Sequence, residues 1–327
     1  MKVESASINV ASKSDKELAR KMKQQDRKQL INYLKQNWQL YVLLILPLAF
    51  ALTFKYLPLT GLVVAFKDYK IARGFWASEW VGFEVFREVF SHRDFLKALR
   101  NTLLLNSLDL IFSFTAPIFL ALLLNEIKHV TFKRINQTLL YLPHFLSWVI
   151  IGALAYQLLG LGNGLVNNLI ELLGGNRVPF LQEDYHWLAS YLAIGVWQSM
   201  GWGTIIYLAA MSGVNPELYE AATVDGANRW RKMWHITLPG IRPTIVTLLI
   251  LNLGRIMEGS FERIWSLQNR ATTEFTTTIP VLVYRWGIES GNFSRATAIG
   301  LFQSLVGLVL IIIADRIAKR LGEDGLL

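Results

Sequence analysis

The 327-residue chain is 53% hydrophobic and 17% charged, carries a formal net charge of +9, and contains no Cys. Soluble globular chains carry about 25% charged residues and disordered chains have low hydrophobicity, so neither class fits. The absence of Cys removes disulfides, thiolate nucleophiles and Cys-ligated zinc or iron–sulfur sites. The excess charge has two readings, a surface for nucleic acid or an anionic ligand, or one side of a membrane protein.

Residues 1–38 hold nine Lys/Arg, four acids and no apolar run. A cleavable signal peptide needs an apolar stretch near the start, so none is expected. Ser14 and Glu17 fit the S-x-x-E capping box. Leu18, Met22, Leu30, Leu34 and Trp38 fall on one side of an otherwise basic helix. We read it as a solvated cytoplasmic helix, with a helix lying on anionic lipid as the alternative.

Six apolar blocks follow, near 40–60, 101–125, 139–160, 187–211, 244–260 and 297–314. Most approach the roughly 20 residues that cross the hydrocarbon layer at about 1.5 Å per residue. The fifth is short and polar-interrupted. A transmembrane barrel would show alternating segments of about 10 residues instead. The expected fold is therefore an all-α integral membrane protein of six transmembrane helices. With the first 38 residues, the loops 125–138 and 212–243 and the tail on one side, that side holds 19 Lys/Arg against 12 on the other. Positive charge marks the cytoplasmic side, so both termini are expected there and no nucleic-acid partner is needed. The domains read as 1–38, a basic cytoplasmic helix; 39–99, the first span and an outer loop; 100–318, a five-span core; and 319–327, a cytoplasmic tail.

The inner loop 215–240 carries the densest information. Asn215 is a good N-cap, Pro216 suits the first helical position, and Glu217 and Glu220 sit where the helix dipole favours acids. Asp225-Gly226 ends this helix. A second short helix from Asn228 to Ile236 is expected to be closed by Pro239. Within this stretch, Glu220-Ala221-Ala222, Gly226, Ile236, Leu238 and Pro239 reproduce E-A-A-x3-G-x9-I-x-L-P at all seven fixed positions. On these residues the chain resembles the permease subunits of type I ATP-binding-cassette (ABC) importers. Asn101-Thr102-Leu103 resembles the start of that family's core. Phe54–Gly61, Ala65–Tyr69, Trp80–Phe83, Tyr284–Ile288 and Ser294–Phe302 resemble its polysaccharide and oligosaccharide branch, with Val85 where that branch usually has Asn. Within it, the chain is similar to the first permease subunit of alginate oligosaccharide importers.

The resemblance implies that Glu220, Ala221, Ala222, Asp225, Gly226, Ile236, Leu238 and Pro239 form a coupling loop docked on an ATPase. It implies a second homologous permease, two ATPase subunits, a periplasmic solute-binding protein and a carbohydrate substrate, in a bacterial inner membrane. No phosphate-binding G-x-x-x-x-G-K-[ST] loop occurs. The chain is thus expected to bind no cofactor and to be no enzyme itself, ATP and Mg residing on the ATPase subunits.

Polar residues inside spans are costly in lipid and usually face a protein interior. The substrate-path candidates on this ground are Asn106, Asp109, Tyr156, Gln157, Trp197, Gln198, Trp202, Asn252, Arg255 and Glu258. Their alternative role is in interhelical hydrogen bonds or interface belts. Asn252, Arg255 and Glu258 are expected on one helical face. Arg255 stands out as a cation for an anionic sugar, or as an ion-pair partner of Glu258 or Asp109. His92, His129, His144, His186 and His235 are dispersed and form no metal-binding pattern. A neutral oligosaccharide or small polar nutrient is the alternative substrate. An ion-coupled secondary transporter is the alternative class, but it leaves the loop motif unexplained.

Overall fold

The structure is a computed structural model that describes residues 32–322 and 325. The expected capping box at Ser14 and the basic helix as far as residue 31 lie outside the described residues; residues 32–36, its last part, are helical. Two compact units divide at residue 63. In the first, helix α1 (Trp38–Ala51) runs on through π and 3-10 turns. Its side chains Leu43 and Leu46 are exposed, as suits a helix whose solvent is lipid.

The second unit begins with a hairpin of β1 (Lys67–Asp68) and β2 (Glu79–Trp80), paired antiparallel. This hairpin is a departure from an all-helical chain. Next come α2 (Glu84–Ser91) and the 33-residue α3 (Arg93–Asn125). The following helices are α4 (Val130–Tyr141), α5 (Trp148–Leu159), α6 (Leu165–Leu172) and the 29-residue α7 (Asp184–Ser212). The connection after α7 carries α8 (Pro216–Val224) and α9 (Arg229–Lys232). The chain then forms α10 (Arg242–Gly254), α11 (Phe261–Leu267), α12 (Ile279–Tyr284) and the 28-residue α13 (Phe293–Arg320).

Three helical stretches, Trp38–Phe66, Arg93–Asn125 and Phe293–Arg320, are long and apolar enough to cross a membrane; the count rises to five if each of two bent pairs is one span. The expected third span is one of these pairs, bent by 101° between Phe145 and Trp148. Pro143 lies in a 3-10 turn there, and Ser147 Oγ accepts from Ile150 N to start α5 anew. The fifth is also broken, by 58°. Pro239 does not close a helix. It follows a π turn, Met233–Thr237, and sits inside a short helical run ending at Gly240. Proline has no N–H to give to an α-helical ladder, and the wider turn precedes it.

Three apolar clusters hold the second unit together. One joins the hairpin and α2 to α12 and α13 through Phe86, Val89, Phe95, Ile279 and Ile299. Another packs Leu105, Trp187, Tyr191, Ile264 and Leu267 where α3, α7 and α11 meet. The third, with Ile118, Leu122, Tyr207, Met211 and Met233, lies beneath the connection after α7. The segment before α12 is tied to α3 by polar side chains. Asn101 Nδ2 donates to the carbonyls of Glu274 and Thr277, and Thr102 Oγ1 accepts from Ile279 N at 2.8 Å. These bonds explain a buried Asn-Thr pair at the head of a span, because buried backbone groups require partners. On α10 and α13 the backbones meet directly, since a Cβ on Gly307 would strike the carbonyl of Gly254.

Candidate functional site

Two regions concentrate polar chemistry. The first is the loop 215–240. Asn215 Oδ1 accepts from Glu217 N at 3.0 Å, with Pro216 at the first helical position, so α8 begins as its sequence dictates. Gly226 ends it with φ +72, and Ala227 N donates back to Ala222 O at 2.8 Å. That left-handed residue and back-bond are a helix C-terminal motif that suits Gly. Asn228 Oδ1 then accepts from Arg231 N to start α9.

No residue of α8 is buried. Glu220 and Ala221 are exposed, Ala222 is half-buried, and Val224 is 89% exposed. Asp225 and Gly226 are exposed at the turn. Ile236 and Leu238 are half-buried, and Pro239 is exposed. Leu238 leans on the third apolar cluster. The arrangement is a short, firmly capped helix presenting one acid and small side chains outward from an anchored base.

The second region is an open cavity of about 430 Å³ between α3, α7 and α10. Asn106, Asp109, Asn252, Arg255 and Glu258 all line it, joined by Ser113 and Ser199. The other five expected path residues do not line it. Trp202 stacks on His144 at 4.6 Å, and Tyr156 donates its hydroxyl hydrogen to the carbonyls at the end of α11. Trp197 and Gln157 are exposed on other faces, and Gln198 is half-buried.

Three expectations about this wall need correction. Helix α10 ends at Gly254, so Asn252, Arg255 and Glu258 do not share one helical face; Arg255 is already the C-cap. They converge because the chain turns directly after Gly254, with Arg255 N donating to Asn252 O and Glu258 N to Arg255 O. Arg255 is not a buried cation, its side chain being 76% exposed and paired with Glu258 at 3.0 Å. Nor does it partner Asp109.

That role belongs to Arg263, which the sequence had placed among outer-loop charges. Its side chain is 4% exposed and donates to Asp109 Oδ1 at 2.9 Å. It also donates to the carbonyl of Tyr191 at 2.6 Å, and its guanidinium lies 3.7 Å from the Tyr191 ring centre. Asp109 accepts a further bond from Ser113 Oγ. A Cβ at Gly195 would collide with the guanidinium, so glycine on α7 makes room for it. A hint was present: Arg263 shares an apolar helix with Ile264 and Leu267, and a lone acid in a span requires a cation. The cavity thus has an ion pair on its wall, Arg255–Glu258, and a second whose carboxylate alone lines it, Asp109 backed by the buried Arg263. The exposed Arg255–Glu258 pair contributes little to stability, about 0–1 kcal/mol, whereas the Asp109–Arg263 pair is fixed by burial.

A mostly helical membrane chain with an exposed capped loop and a polar cavity between its helices is the form of a transport permease. The model of the binding-protein-dependent transport system inner membrane component family matches residues 113–323. The LplB protein of Bacillus subtilis strain 168 is 46% identical over 294 residues, covering 90% of this chain and 92% of that one. The polygalacturonan/rhamnogalacturonan transport system permease protein YteP of the same organism is 44% identical over 304 residues, covering 93% and 95%. A crystal structure of a bacterial alginate ABC transporter, in complex with a periplasmic protein bound to alginate pentasaccharide, contains a chain 38% identical to this one. It superposes with a TM-score of 0.83, covering 90% of this chain and 99% of that one. The chain belongs to the binding-protein-dependent transport system inner membrane component family, and is an ABC transporter permease subunit, a transport component without a catalytic domain.

Proposed function

We propose that this permease forms half of the membrane pathway of an ABC importer for oligosaccharides, in a bacterial inner membrane. The observation that carries the reading is the outward face of α8, where Glu220 and Ala221 stand exposed on a firmly capped helix at the positions of the family's coupling motif. The relatives named for polygalacturonan, rhamnogalacturonan and alginate support a carbohydrate substrate. Six spans follow if α7 joins the three long helices and the two bent pairs, with both termini cytoplasmic. Helix α7 has the length, 29 residues.

In this reading, α8 docks on one of two ATPase subunits, and a second homologous permease supplies the other coupling loop. A solute-binding protein delivers substrate to the outer loops. ATP binding moves the docked loops and opens the bundle outward, biasing two states by differential contacts. The chain's Asn106, Asp109, Asn252 and Arg255 offer donors and acceptors to sugar hydroxyls. The weak Arg255–Glu258 pair favours an acidic sugar over a neutral one, because a substrate carboxylate can take the place of Glu258 beside the guanidinium.

Uptake by the full complex in liposomes tests this, with galacturonate and arabinose trisaccharides as probes. We expect galacturonate uptake to fall about tenfold in Arg255→Gln, the loss of one charge-assisted bond, with arabinose uptake unaffected. Unchanged galacturonate uptake removes Arg255 from the path. Wild-type preference for arabinose favours the neutral substrate.

A further inference from the structure

Helix α8 is joined to the bundle in an unusual way. It has no buried residue, and only Tyr219 and Ala222, three positions apart, are partly covered. Its base is the opposite. Met233 and Thr237 of the π turn are buried, and Met233 packs among Ile118, Leu122, Tyr207 and Met211 of α3 and α7. Besides the chain itself, two side-chain bridges connect α8 to that base. Lys232 Nζ donates to Thr223 Oγ1 at 2.6 Å, on an exposed surface. Tyr219 and Thr237 share a hydrogen bond of 2.9 Å between their hydroxyls, at a position where Thr237 is 1% exposed. Either hydroxyl can donate in that bond, and Thr237 Oγ1 also lies 3.5 Å from the carbonyl of Lys232.

The two bridges differ in worth. A solvent-exposed amine bridge competes with water and contributes little. A hydroxyl bond at a buried site leaves an unsatisfied group when broken, which costs more than the bond's mean contribution. Thr237 stands four residues before Ile241, a core residue at the entry to α10. Tyr219 is partly covered, whereas Glu220 and Ala221 beside it are exposed.

We propose that Tyr219 and Thr237 are positioning residues that make α8 and the entry to α10 move as one body, so that displacement of the docked helix is delivered to the fifth span rather than absorbed in the loop. This rests on the importer reading above. Neither residue is a fixed position of the loop motif. Tyr219 precedes the Glu, and Thr237 occupies the free position between Ile236 and Leu238. Their contribution lies in the bond they make.

The test uses the full complex in liposomes and measures trisaccharide uptake per ATP hydrolysed, with the galacturonate and arabinose probes. Tyr219→Phe keeps the ring and removes the hydroxyl. We expect uptake per ATP to fall about fivefold, the worth of one buried hydrogen bond, while the ATPase subunits co-purify and hydrolyse ATP as in wild type. Thr237→Val should fall equally, the double variant no further, and Thr237→Ser should retain wild-type coupling. Wild-type uptake per ATP in Tyr219→Phe overturns the proposal, as do losses that multiply in the double variant. Reduced co-purification in Tyr219→Phe also overturns it, since the residue then acts on docking. A wild-type chain that binds no ATPase overturns the importer reading, and the link with it.

Discussion

The loop at 215–240 and the cavity wall are built by opposite means. In the loop, each determining contact is local: Asn215 caps Glu217, Gly226 turns the chain, and Asn228 caps Arg231. At the cavity, the determining contacts join distant residues. Arg263 reaches Asp109 in another helix, and Asn106 Nδ2 donates to the carbonyl of Ile256. The loop carries its chemistry outward on an exposed helix, whereas the wall keeps a cation nearly dry. A surface made to meet a partner can be specified by one segment. A pathway wall needs several helices to agree.

The largest effect should come from reversing the loop's exposed acid. Glu220→Lys is expected to lower ATP-driven uptake more than tenfold without altering the thermal stability of the isolated subunit, because Glu220 is exposed on α8 and the helix dipole penalty alone is below about 1 kcal/mol. Wild-type uptake in this variant would break the contrast, placing the docking surface elsewhere. At the wall the effect should be on stability first. Asp109→Asn leaves the Arg263 charge buried without a counter-ion, and should cost about 3 kcal/mol. A thermal unfolding midpoint in detergent reads this directly, and an unshifted midpoint would show that the pair holds nothing together.

The smallest effect concerns the segment before α12. The ammonium of Lys97 and then the guanidinium of Arg100, both bonded to Glu274, hold its carboxyl below the usual carboxylate range. A lowered folded value means the stabilisation is present above the unfolded carboxylate range and is lost as pH falls through the folded value. Glu274→Gln should therefore flatten the acid limb of the stability curve slightly while leaving neutral pH almost unchanged, the pair being exposed. Parallel acid limbs for the two proteins would remove this contact from the balance.

The same contrast governs what could be read in the sequence. Caps, the Gly226 turn and the loop spacing were legible because their signals span a few residues. The long helices α3, α7 and α13 were legible from apolar length. The break before Trp148 had local signals in Pro143 and Ser147, yet an apolar run conceals a bend because hydropathy is blind to direction. Arg255 was misjudged for a similar reason. Its neighbours read as helix, and only the structure ends that helix at Gly254. Arg263 could not be paired with Asp109 from sequence, since they stand 154 positions apart and three helices must fold before they meet.

The contact of Gly254 with Gly307 gives the fifth span a mechanical character. A Cβ on Gly254 would in turn strike the Ile311 side chain of α13, so both glycines are needed for this close approach. Helix α10 has 13 residues, so its far end at Arg242 stands roughly 18 Å from this point. Taking this contact as a fulcrum, a push of about 3 Å at the Arg242 end corresponds to a tilt of roughly 10°. Arg255 is the next residue beyond the fulcrum, so such a tilt would turn the cavity's exposed cation through an angle while carrying it almost nowhere.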